Sequence, residues 1–414
     1  MRLGGVTGPA GRRWRTATAA IAAATVLLSA GCSGDGKSAA PSWQEAGAEA
    51  GGTSASASPS PQPTLSTVAV TSPARDATDV QAIAEIKYSS EDPANTSVEV
   101  ADANGKKVEG TLDKDEKVFR PAKALGWGKK YTVTVTGTAS GDKGGTATSS
   151  FTVMDKPSKL VRVESFLGDN QTVGVGMPLM ISFGRAIPEK YRDDVQRRMQ
   201  VTATPAQEGT WHWVSPTQVH YRPKVYWKAR SKVSYRVQLQ GVPMGDGWYG
   251  RSDYTVNVNI GRSFVMTVDN KSKHMTVTRD GKAVKRIPVS LGQKKFPSVS
   301  GTMLVMEKLR KTVFDTRGRF SEEDAYRTKV EYAQRLTWGG QFIHAAPWSN
   351  AEQGRRNVSH GCVNVSQDLG KWLFDNTMIG DPVTIRGTEE QIVNGDGWTD
   401  WSMSWEDYRK GSAI

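Results

Sequence analysis

The feature that most restricts the fold of this chain is a pattern of short alternating strands that recurs after about 100 residues. Segments 119–121 and 131–133 correspond to 221–223 and 235–237, at offsets of 102 and 104 residues, and each begins with an aromatic residue. Around these segments apolar residues alternate with polar ones, as in strands with one buried face. The sequence therefore predicts a mainly β protein in which one strand-rich unit occurs twice.

Because about 100 residues of short strands match the size of an immunoglobulin-like sandwich, we assign two such modules, module 1 at 65–154 and module 2 at 155–259. In module 1, Asn104-Gly105 is a strong signal for a two-residue hairpin turn. Both modules lack the cysteine pair of antibody domains, so their hydrophobic cores alone must hold them. Neither concentrates titratable groups, which favours a rigid spacer over a dedicated ligand-binding module.

The first 31 residues have the pattern of an export signal. Arginines at positions 12, 13 and 15 precede 14 uncharged, mostly apolar residues at 17–30. This stretch is shorter than the ~20 residues of a membrane span and typical of the hydrophobic part of a secretory signal. A twin-arginine signal is a weaker interpretation, because the hydrophobic residues that should closely follow the arginine pair are missing.

The small residues directly before Cys32 resemble the lipobox of bacterial lipoproteins, although Ser29 stands where that family usually has leucine. The resemblance implies cleavage after residues 1–31 and a lipid on the Cys32 sulfur. A plain signal peptide with an incidental cysteine is the alternative. Residues 32–64 are rich in Ser, Ala, Gly and Pro, which predicts a lipid anchor followed by a disordered tether. We therefore expect the protein to be lipid-anchored on the extracytoplasmic face of the cell membrane.

The net charge of +12, from 54 Lys and Arg against 42 Asp and Glu, favours an anionic neighbour. A membrane surface, an acidic polymer and a nucleic acid all carry the required charge. Export excludes nucleic acid as a partner, and the sequence contains no nucleic-acid-binding motif.

The last third of the chain contains the residues that point to chemistry. Residues 260–388 continue the strand pattern and show little helical periodicity. Cys362 is the only cysteine besides Cys32, and two of the five histidines, His344 and His360, lie within 18 residues of it. In an oxidising compartment a free thiol has to be buried or used. A nearby imidazole that favours the thiolate would make Cys362 a nucleophile.

Two other interpretations of these side chains stay open on residue types alone. A cysteine in a β domain is by default a small buried hydrophobic residue. A zinc site could use Cys362, His360 and His344, but structural zinc sites normally contain paired cysteines at short spacing. A nucleophilic or an inert cysteine is therefore favoured over a metal ligand.

The arrangement resembles the signature of the L,D-transpeptidases of bacterial cell walls. His344 is followed by 14 residues and then by Ser-His-Gly-Cys-Val-Asn at 359–364. The order of segments is similar to the actinobacterial lipoprotein type of that family, in which a lipid anchor and two immunoglobulin-like modules precede a YkuD-type catalytic domain. The resemblance implies a β-rich catalytic domain with few helices at 260–388 and a Trp-rich segment at 389–414 that packs on it. Such a protein would reach from the membrane into the cell wall.

The resemblance implies a chemical role for four residues. Cys362 is the expected nucleophile, and His344 is the expected general base. Tyr326 matches a family tyrosine thought to support the oxyanion. The main-chain amides of Gly361 and Cys362 are the expected further donors to it.

The resemblance also implies supporting roles around this pair. His360 would shape the loop and help to position the substrate, and Asn364 would fix the turn behind the cysteine by hydrogen bonding. Ser359 and Trp348 are expected to contact substrate. Ala345 is also expected to contact substrate. It stands where the family often has serine, and this difference affects the site only if that position orients the imidazole through a hydroxyl.

The implied reaction is a pair of acyl transfers on peptidoglycan stem peptides. The thiolate attacks the L,D bond after the third residue of a donor tetrapeptide, D-alanine leaves, and a thioester remains. The side-chain amine of the third residue of an acceptor stem then forms a 3→3 cross-link. Water as acceptor would give L,D-carboxypeptidase activity, and a catalytically inactive wall-binding scaffold is the alternative from another class. The resemblance further implies acylation by carbapenems and no metal or organic cofactor.

Overall fold

The computed structural model describes residues 68–137, 145–318 and 321–414. The predicted signal peptide, Cys32 and the tether lie outside the described residues and remain predictions. Thr64–Ile414 form one compact unit. Within the described ranges, no helix combines the length and apolar character needed to cross a bilayer.

Module 1 consists of two four-stranded sheets in its described residues. In chain order, its strands are β1 (Val68–Ser72), β2 (Ala77–Val80), β3 (Ile86–Ser90), β4 (Thr96–Asp102), β5 (Gly110–Asp113), β6 (Val118–Pro121), β7 (Lys130–Gly137) and β8 (Gly145–Val153), with a 3₁₀ turn at Pro93–Asn95. The sheet orders are β1-β3-β6-β5 and β2-β8-β7-β4. Their inner faces share one apolar core. The predicted hairpin is present, but its turn has three residues, 103–105, and not the expected two, because Ala101 bridges Lys107 and the Asp102 amide donates to the Lys106 carbonyl.

Module 2 repeats this arrangement of two packed sheets. Its strands are β9 (Leu160–Val161), β10 (Val163–Ser165), β11 (Gln171–Val173), β12 (Leu179–Phe183), β13 (Met199–Thr204), β14 (Gly209–Ser215), β15 (Gln218–Pro223), β16 (Lys232–Gln238), β17 (Tyr249–Gly250) and β18 (Asp253–Ile260). The sheet orders are β10-β12-β15-β14 and β11-β18-β16-β13, and β9 pairs with β17. A 3₁₀ turn (Glu189–Tyr191) leads into the short helix α1 (Arg192–Arg197).

The remaining residues form a third region with a six-stranded and a four-stranded sheet. Its elements are β19 (Phe264–Asp269), β20 (His274–Arg279), β21 (Lys282–Pro288), β22 (Val299–Leu304), β23 (Glu307–Asp315), β24 (Arg327–Arg335), β25 (Phe342–Ala345), β26 (Val363–Val365), α2 (Gln367–Asn376), β27 (Pro382–Arg386), β28 (Glu390–Gln391) and α3 (Trp405–Lys410), with 3₁₀ turns at Pro347–Ser349 and Asp400–Ser402. The sheet orders are β21-β20-β19-β27-β22-β28 and β23-β24-β25-β26. The predicted mainly β class with few helices is confirmed.

One apolar core lies between these two sheets and helix α2. Met266 from β19, Ile343 from β25 and Val363 from β26 contribute fully buried side chains to it. Helix α2 begins where the Ser366 side chain accepts a hydrogen bond from the Leu369 amide, which satisfies one of the free amides of its first turn. The helix therefore starts directly after β26 and covers the end of the β25–β26 pair.

An ion pair between Arg262 and Asp381 lies where module 2 joins the third region. Both guanidinium nitrogens bind the carboxylate, at 2.9 and 2.7 Å, and the Asp381 side chain has no exposed surface. The chain of module 2 passes close by, since a Cβ on Gly174 would lie 2.4 Å from the Asp381 amide nitrogen. The Gly174 amide also donates to the Ile379 carbonyl at 2.8 Å. The junction is therefore closed by direct contacts and not by a free linker.

The C-terminal segment packs differently from the expectation that it lies on the catalytic domain alone. Trp398 is buried in the core of module 2. The Trp401 indole donates to the Gly176 carbonyl of that module at 2.6 Å. On the other side, Ser402 bonds Thr302 of β22. The segment thus connects module 2 to the third region, because its tryptophans contact the module and Ser402 contacts β22.

We predict that Arg262→Met lowers the free energy of unfolding by about 3 kcal/mol or more, because it leaves the Asp381 carboxylate buried without its counterion. Arg230→Met is the matched control, since the Arg230–Asp280 pair at 2.6 Å is largely exposed and is expected to contribute less than about 1 kcal/mol. Denaturant unfolding of both variants measures the difference. Equal decreases in the free energy of unfolding would contradict the prediction that the buried Arg262–Asp381 pair contributes more than the exposed pair.

Candidate active site

The parallel pairing of β25 with β26 brings two predicted site residues together. His344 is the register partner of Asn364, and Ile343 is the partner of Val363. Since side chains alternate between faces along a strand, Cys362, directly before β26, lies on the same side as Asn364 and His344. The intervening residues Ile343 and Val363 enter the apolar core instead. The strand pair therefore directs the thiol and the imidazole to one face.

This face lines a cavity of about 600 Å³. The cavity wall contains seven residues that the sequence singled out: Tyr326, His344, Trp348, Ser359, His360, Cys362 and Asn364. The hairpin of β23 and β24 contributes the opposite wall, through Phe314, Thr328 and residues 323–326. The site is thus a cleft between a strand pair and the turn of a neighbouring hairpin.

The His344 ring is held in one orientation by its own strand. Nδ1 lies 2.9 Å from the Ala345 carbonyl oxygen, so it carries the proton and Nε2 is the unprotonated nitrogen. Phe314 contacts the ring edge-to-face at 5.2 Å, and Trp348 lies 5.9 Å away. Burial lowers the pKa of His344 to about 4, so the imidazole is neutral at physiological pH.

Ala345 acts through its backbone and not at the cavity. Its side chain is buried against Gly370 of helix α2. The expectation that Ala345 contacts substrate is therefore wrong, because strand alternation directs its methyl group away from His344. The missing hydroxyl does not affect the imidazole, since the Ala345 carbonyl already binds Nδ1.

Cys362 is buried and protonated, which differs from the expected thiolate. The residue is 6% exposed, and burial raises the pKa of its thiol to about 11. The sulfur lies 3.8 Å from the Gly340 carbonyl oxygen. Among the described residues, no hydrogen bond joins the Cys362 sulfur to the His344 ring. The resting site is therefore a neutral thiol beside a neutral imidazole.

The turn before Cys362 is held by Ser359. Its hydroxyl donates to the Cys362 carbonyl at 2.6 Å and accepts from the Gly361 amide at 3.2 Å. Gly361 has a φ of +113°, a conformation that L side chains rarely adopt. The Gly361 carbonyl also accepts from the Ser298 hydroxyl at 2.6 Å. The predicted oxyanion role of the Gly361 amide is thus not available in this arrangement, because Ser359 already occupies that donor.

Asn364 does not fix the turn behind the cysteine, as the resemblance implied. Its side-chain nitrogen lies 3.2 Å from the hydroxyl of Ser349, in the 3₁₀ turn after β25. Gln353 donates to the same hydroxyl at 3.3 Å. Asn364 Oδ1 is buried without a hydrogen-bond partner in the described structure. The asparagine therefore connects β26 to the segment that follows His344.

His360 and Tyr326 form the side of the cavity that faces the hairpin turn. The His360 ring stacks on Phe296 at 4.8 Å and lies 4.9 Å from the ring of Tyr326. Burial, and secondly the nearby Cys362, raise the pKa of Tyr326 to about 12, so its hydroxyl remains a donor. An ion pair between Lys295 and Asp324, at 2.6 Å, connects the segment of Phe296 to that of Tyr326.

Sequence reasoning missed four residues that support this site. Lys295 and Asp324 connect the walls, and Ser349 and Gln353 support Asn364. Each lies in a polar loop without local periodicity, so no sequence signal distinguished it from a surface residue. Trp348 lines the cavity as expected, although 58% of it is exposed.

Comparison with known proteins agrees with this geometry. The sequence model of the bacterial Ig domain matches residues 77–243, and that of the L,D-transpeptidase catalytic domain matches residues 263–385. The chain is 31% identical over 342 residues to L,D-transpeptidase 2 of Mycobacterium tuberculosis, which covers 81% of this chain and 83% of the relative. This chain belongs to the L,D-transpeptidase family.

Further L,D-transpeptidases are similar over parts of the chain. L,D-transpeptidase 5 of Mycobacterium tuberculosis is 30% identical over 351 residues, covering 83% of this chain and 76% of the relative. A solved structure of the LD transpeptidase LdtMt1 in complex with imipenem has 30% identity, covers 56% of this chain and 100% of that chain, and has a TM-score of 0.48. The sequence matches confirm the predicted family, and membership supports an acyltransferase enzyme.

We predict that alkylation of Cys362 by iodoacetamide accelerates about tenfold per pH unit from pH 7 to about pH 10, without a plateau. The reason is that the thiolate reacts and its fraction rises until pH exceeds the raised pKa of the thiol. Mass spectrometry of the native full chain at each pH measures the rate, and Cys362→Ala gives the background from Cys32. A plateau near pH 7 would mean that the thiol ionises in the folded protein.

Proposed function

We propose that the protein is a peptidoglycan L,D-transpeptidase that forms 3→3 cross-links through a thioester on Cys362. The observation that carries this proposal is the register of β25 and β26, which directs His344 and Cys362 into one cavity. Family membership supports the reaction class, since the catalytic-domain match covers both residues. The cavity has one wall from the strand pair and one from the hairpin, so a bound peptide would contact both.

The first step joins Cys362 to the donor peptide. His344 Nε2 takes the thiol proton while the sulfur attacks the carbonyl carbon of the third stem residue. Because burial disfavours both charged forms, the proton moves as the new C–S bond forms and negative charge passes to the substrate oxygen. The carbon–nitrogen bond then breaks, the nitrogen takes the proton from His344, and D-alanine leaves.

The second step releases the acyl group to an acceptor stem. The side-chain amine of its third residue attacks the thioester carbon and gives a proton to His344. The C–S bond breaks, and the sulfur takes back that proton as the thiol. The products are an amide cross-link and free Cys362, so the thiol and the imidazole return to their starting protonation states.

Stabilisation of the oxyanion comes from Tyr326 and the chain around Cys362. The Tyr326 hydroxyl keeps its proton, because burial raises its pKa to about 12. The Cys362 amide lies in the turn that Ser359 holds. A donor positioned before the reaction stabilises the developing charge without reorganisation. Ser359 is therefore a positioning residue in this proposal and not a substrate contact.

Carbapenems are proposed to acylate the same sulfur. The strained amide of the drug offers a carbonyl carbon to Cys362, as the donor peptide does, but it releases no separate leaving group. Another LD transpeptidase, LdtMt1, has been solved in complex with imipenem. The drug therefore tests acylation separately from the acceptor step.

The proposal also includes the cellular position of the enzyme. Its support is the sequence alone, in which an export signal ends at Cys32 and is followed by a tether rich in Ser, Gly and Pro. A lipid on Cys32 would hold the enzyme on the extracytoplasmic face of the cell membrane. The tether and the two modules would hold the active-site cavity away from the membrane and toward the wall polymer.

We predict that the full chain, incubated with disaccharide-tetrapeptide, forms cross-linked dimers that have lost one D-alanine per bond. Cys362→Ala should form none, because no thioester can arise. His344→Ala should reduce the rate about a hundredfold or more, the usual scale for loss of a general base. Liquid chromatography with mass spectrometry measures dimer and tripeptide separately.

His274→Ala is the matched control for this experiment, since His274 is absent from the cavity wall, and it should keep the parental rate. Formation of tripeptide without dimer would show that the enzyme transfers the acyl group to water, and would contradict the proposed cross-linking activity. Neither product from a folded parent, together with no mass increase after incubation with a carbapenem, would favour the scaffold. A near-parental rate of His344→Ala would contradict the role given to that residue.

For the anchor, we predict that Cys32→Ala moves the protein from the membrane fraction to the soluble extracytoplasmic fraction of the cells that produce it, because no lipid can be attached. Immunoblotting of both fractions measures the distribution, and metabolic labelling with a fatty acid reports the lipid directly. Cys362→Ala should stay in the membrane fraction. Membrane retention of Cys32→Ala, with no label in the parent, would contradict lipidation.

A further inference from the structure

A second cavity, of about 640 Å³, lies at the junction of modules 1 and 2 and shares no lining residue with the Cys362 cavity. Its wall is formed by residues 120–124 of module 1, by helix α1 and by strands β13 and β16 of module 2. Five of the lining residues are Lys or Arg, and three are Asp or Glu. We call this cavity the junction groove.

The carboxylates of the junction groove are already bound within the protein. Glu85 accepts from Arg120 at 2.8 Å, and Asp194 accepts from Arg198 at 3.1 Å. Asp253 accepts from the Gln240 amide at 2.7 Å. Glu85 and Asp194 therefore pair with their own arginines, whereas Asp253 also interacts electrostatically with Arg198 and Lys123 without a direct ion pair to either.

Three cations of the groove remain without a carboxylate. Lys123, Arg197 and Arg236 are exposed, and none of them has an Asp or Glu oxygen within 4.0 Å among the described residues. Lys123 comes from module 1, whereas Arg197 and Arg236 come from module 2. An unpaired positive charge is thus presented from both walls.

The positive surface continues beyond the groove along module 1. A cavity of about 410 Å³ shares residues 122–124 with the groove and adds Lys106, Lys107 and Lys129 to its wall, of which Lys107 pairs with Glu99 at 2.6 Å. Its two acidic residues are Asp102, which accepts from the amides of Asn104 and Lys106, and Glu109. Two adjoining cavities therefore form one basic path that runs across both modules.

The two walls are fixed relative to each other at this path. The Gln238 side chain of module 2 donates to the Ala122 carbonyl of module 1 at 2.8 Å. Nearby, a Cβ on Gly241 would lie 2.9 Å from that of Ala82, so the two modules are in close contact. A ligand that bridges both walls would not have to order the junction first.

We propose that the junction groove and its extension bind a linear polyanion that carries phosphate or carboxylate groups. Guanidinium groups and lysine amines recognise both oxyanions, and cations on two walls in direct contact suit a ligand that carries more than one negative charge. The lining is mainly charged and amide-bearing, which does not suit an apolar ligand. This inference does not rest on the cross-linking activity, and it gives the modules a binding role in place of the predicted spacer role.

The test uses the full chain with two defined polymers, poly(glycerol phosphate) and polygalacturonate, and with neutral dextran. Isothermal titration calorimetry at about 0.1 M salt measures the affinity for each. The parent should bind at least one polyanion but not dextran, and added salt should weaken the binding because it screens exposed charges. Binding of only one polymer distinguishes phosphate from carboxylate as the recognised group.

The groove variant is Lys123→Gln, Arg197→Gln and Arg236→Gln together, which should weaken binding about tenfold or more, since three exposed charge contacts are lost. The matched control, Lys271→Gln, Lys282→Gln and Arg286→Gln, removes the same charge from exposed positions outside both cavities and should stay within about twofold. Thermal unfolding verifies that both fold. If the triple variant is unstable, Lys123→Gln with Arg236→Gln replaces it, with about fivefold weakening expected.

Equal weakening by the groove variant and by its control would overturn the proposal, because net charge alone would then explain binding. Absence of binding to both polyanions would also overturn it. Neither result bears on the cross-linking reaction, since the groove variants leave the Cys362 cavity intact and their transpeptidase activity on small disaccharide peptides is measured in parallel.

Discussion

The pairing of β25 with β26 is the constraint on which the rest of the site depends. Ile343 and Val363 pair in register and enter the core, so His344, Cys362 and Asn364 beside them face the cavity. A slip by one residue would turn these apolar side chains out of the core and place the polar His344 ring in it, which is strongly disfavoured. Hydrophobic packing on one face of two short strands therefore fixes the positions of the thiol and the imidazole on the other.

The same burial determines the charge state of the site. Enclosure raises the pKa of Cys362 and lowers that of His344, so the resting pair is neutral. Such a site does not hold a free thiolate in an oxidising environment, where an exposed one would be oxidised. Nucleophilicity would then arise only when a substrate carbonyl is present to accept the charge. The Ala345 carbonyl makes this possible, because it keeps the unprotonated nitrogen of the ring available.

Beyond the catalytic sheet, direct contacts join the neighbouring regions of the chain. Trp398 enters the core of module 2, and the buried Arg262–Asp381 pair closes the boundary with the catalytic region. Between the two modules, Gln238 and Ala122 join the walls of a basic groove.

The sequence by itself determined the mainly β class, the repeated module and the Cys362–His344 pair, because strand alternation, turn residues and motif spacing are local signals. The tertiary structure alone decided that Ser359 holds the turn, that Asn364 binds Ser349 and that the thiol is protonated. These facts depend on contacts between residues far apart in the chain and on the burial they create, and no local pattern encodes either. For the same reason, the sequence showed an excess of positive charge, whereas only the folded modules brought part of it together in a groove.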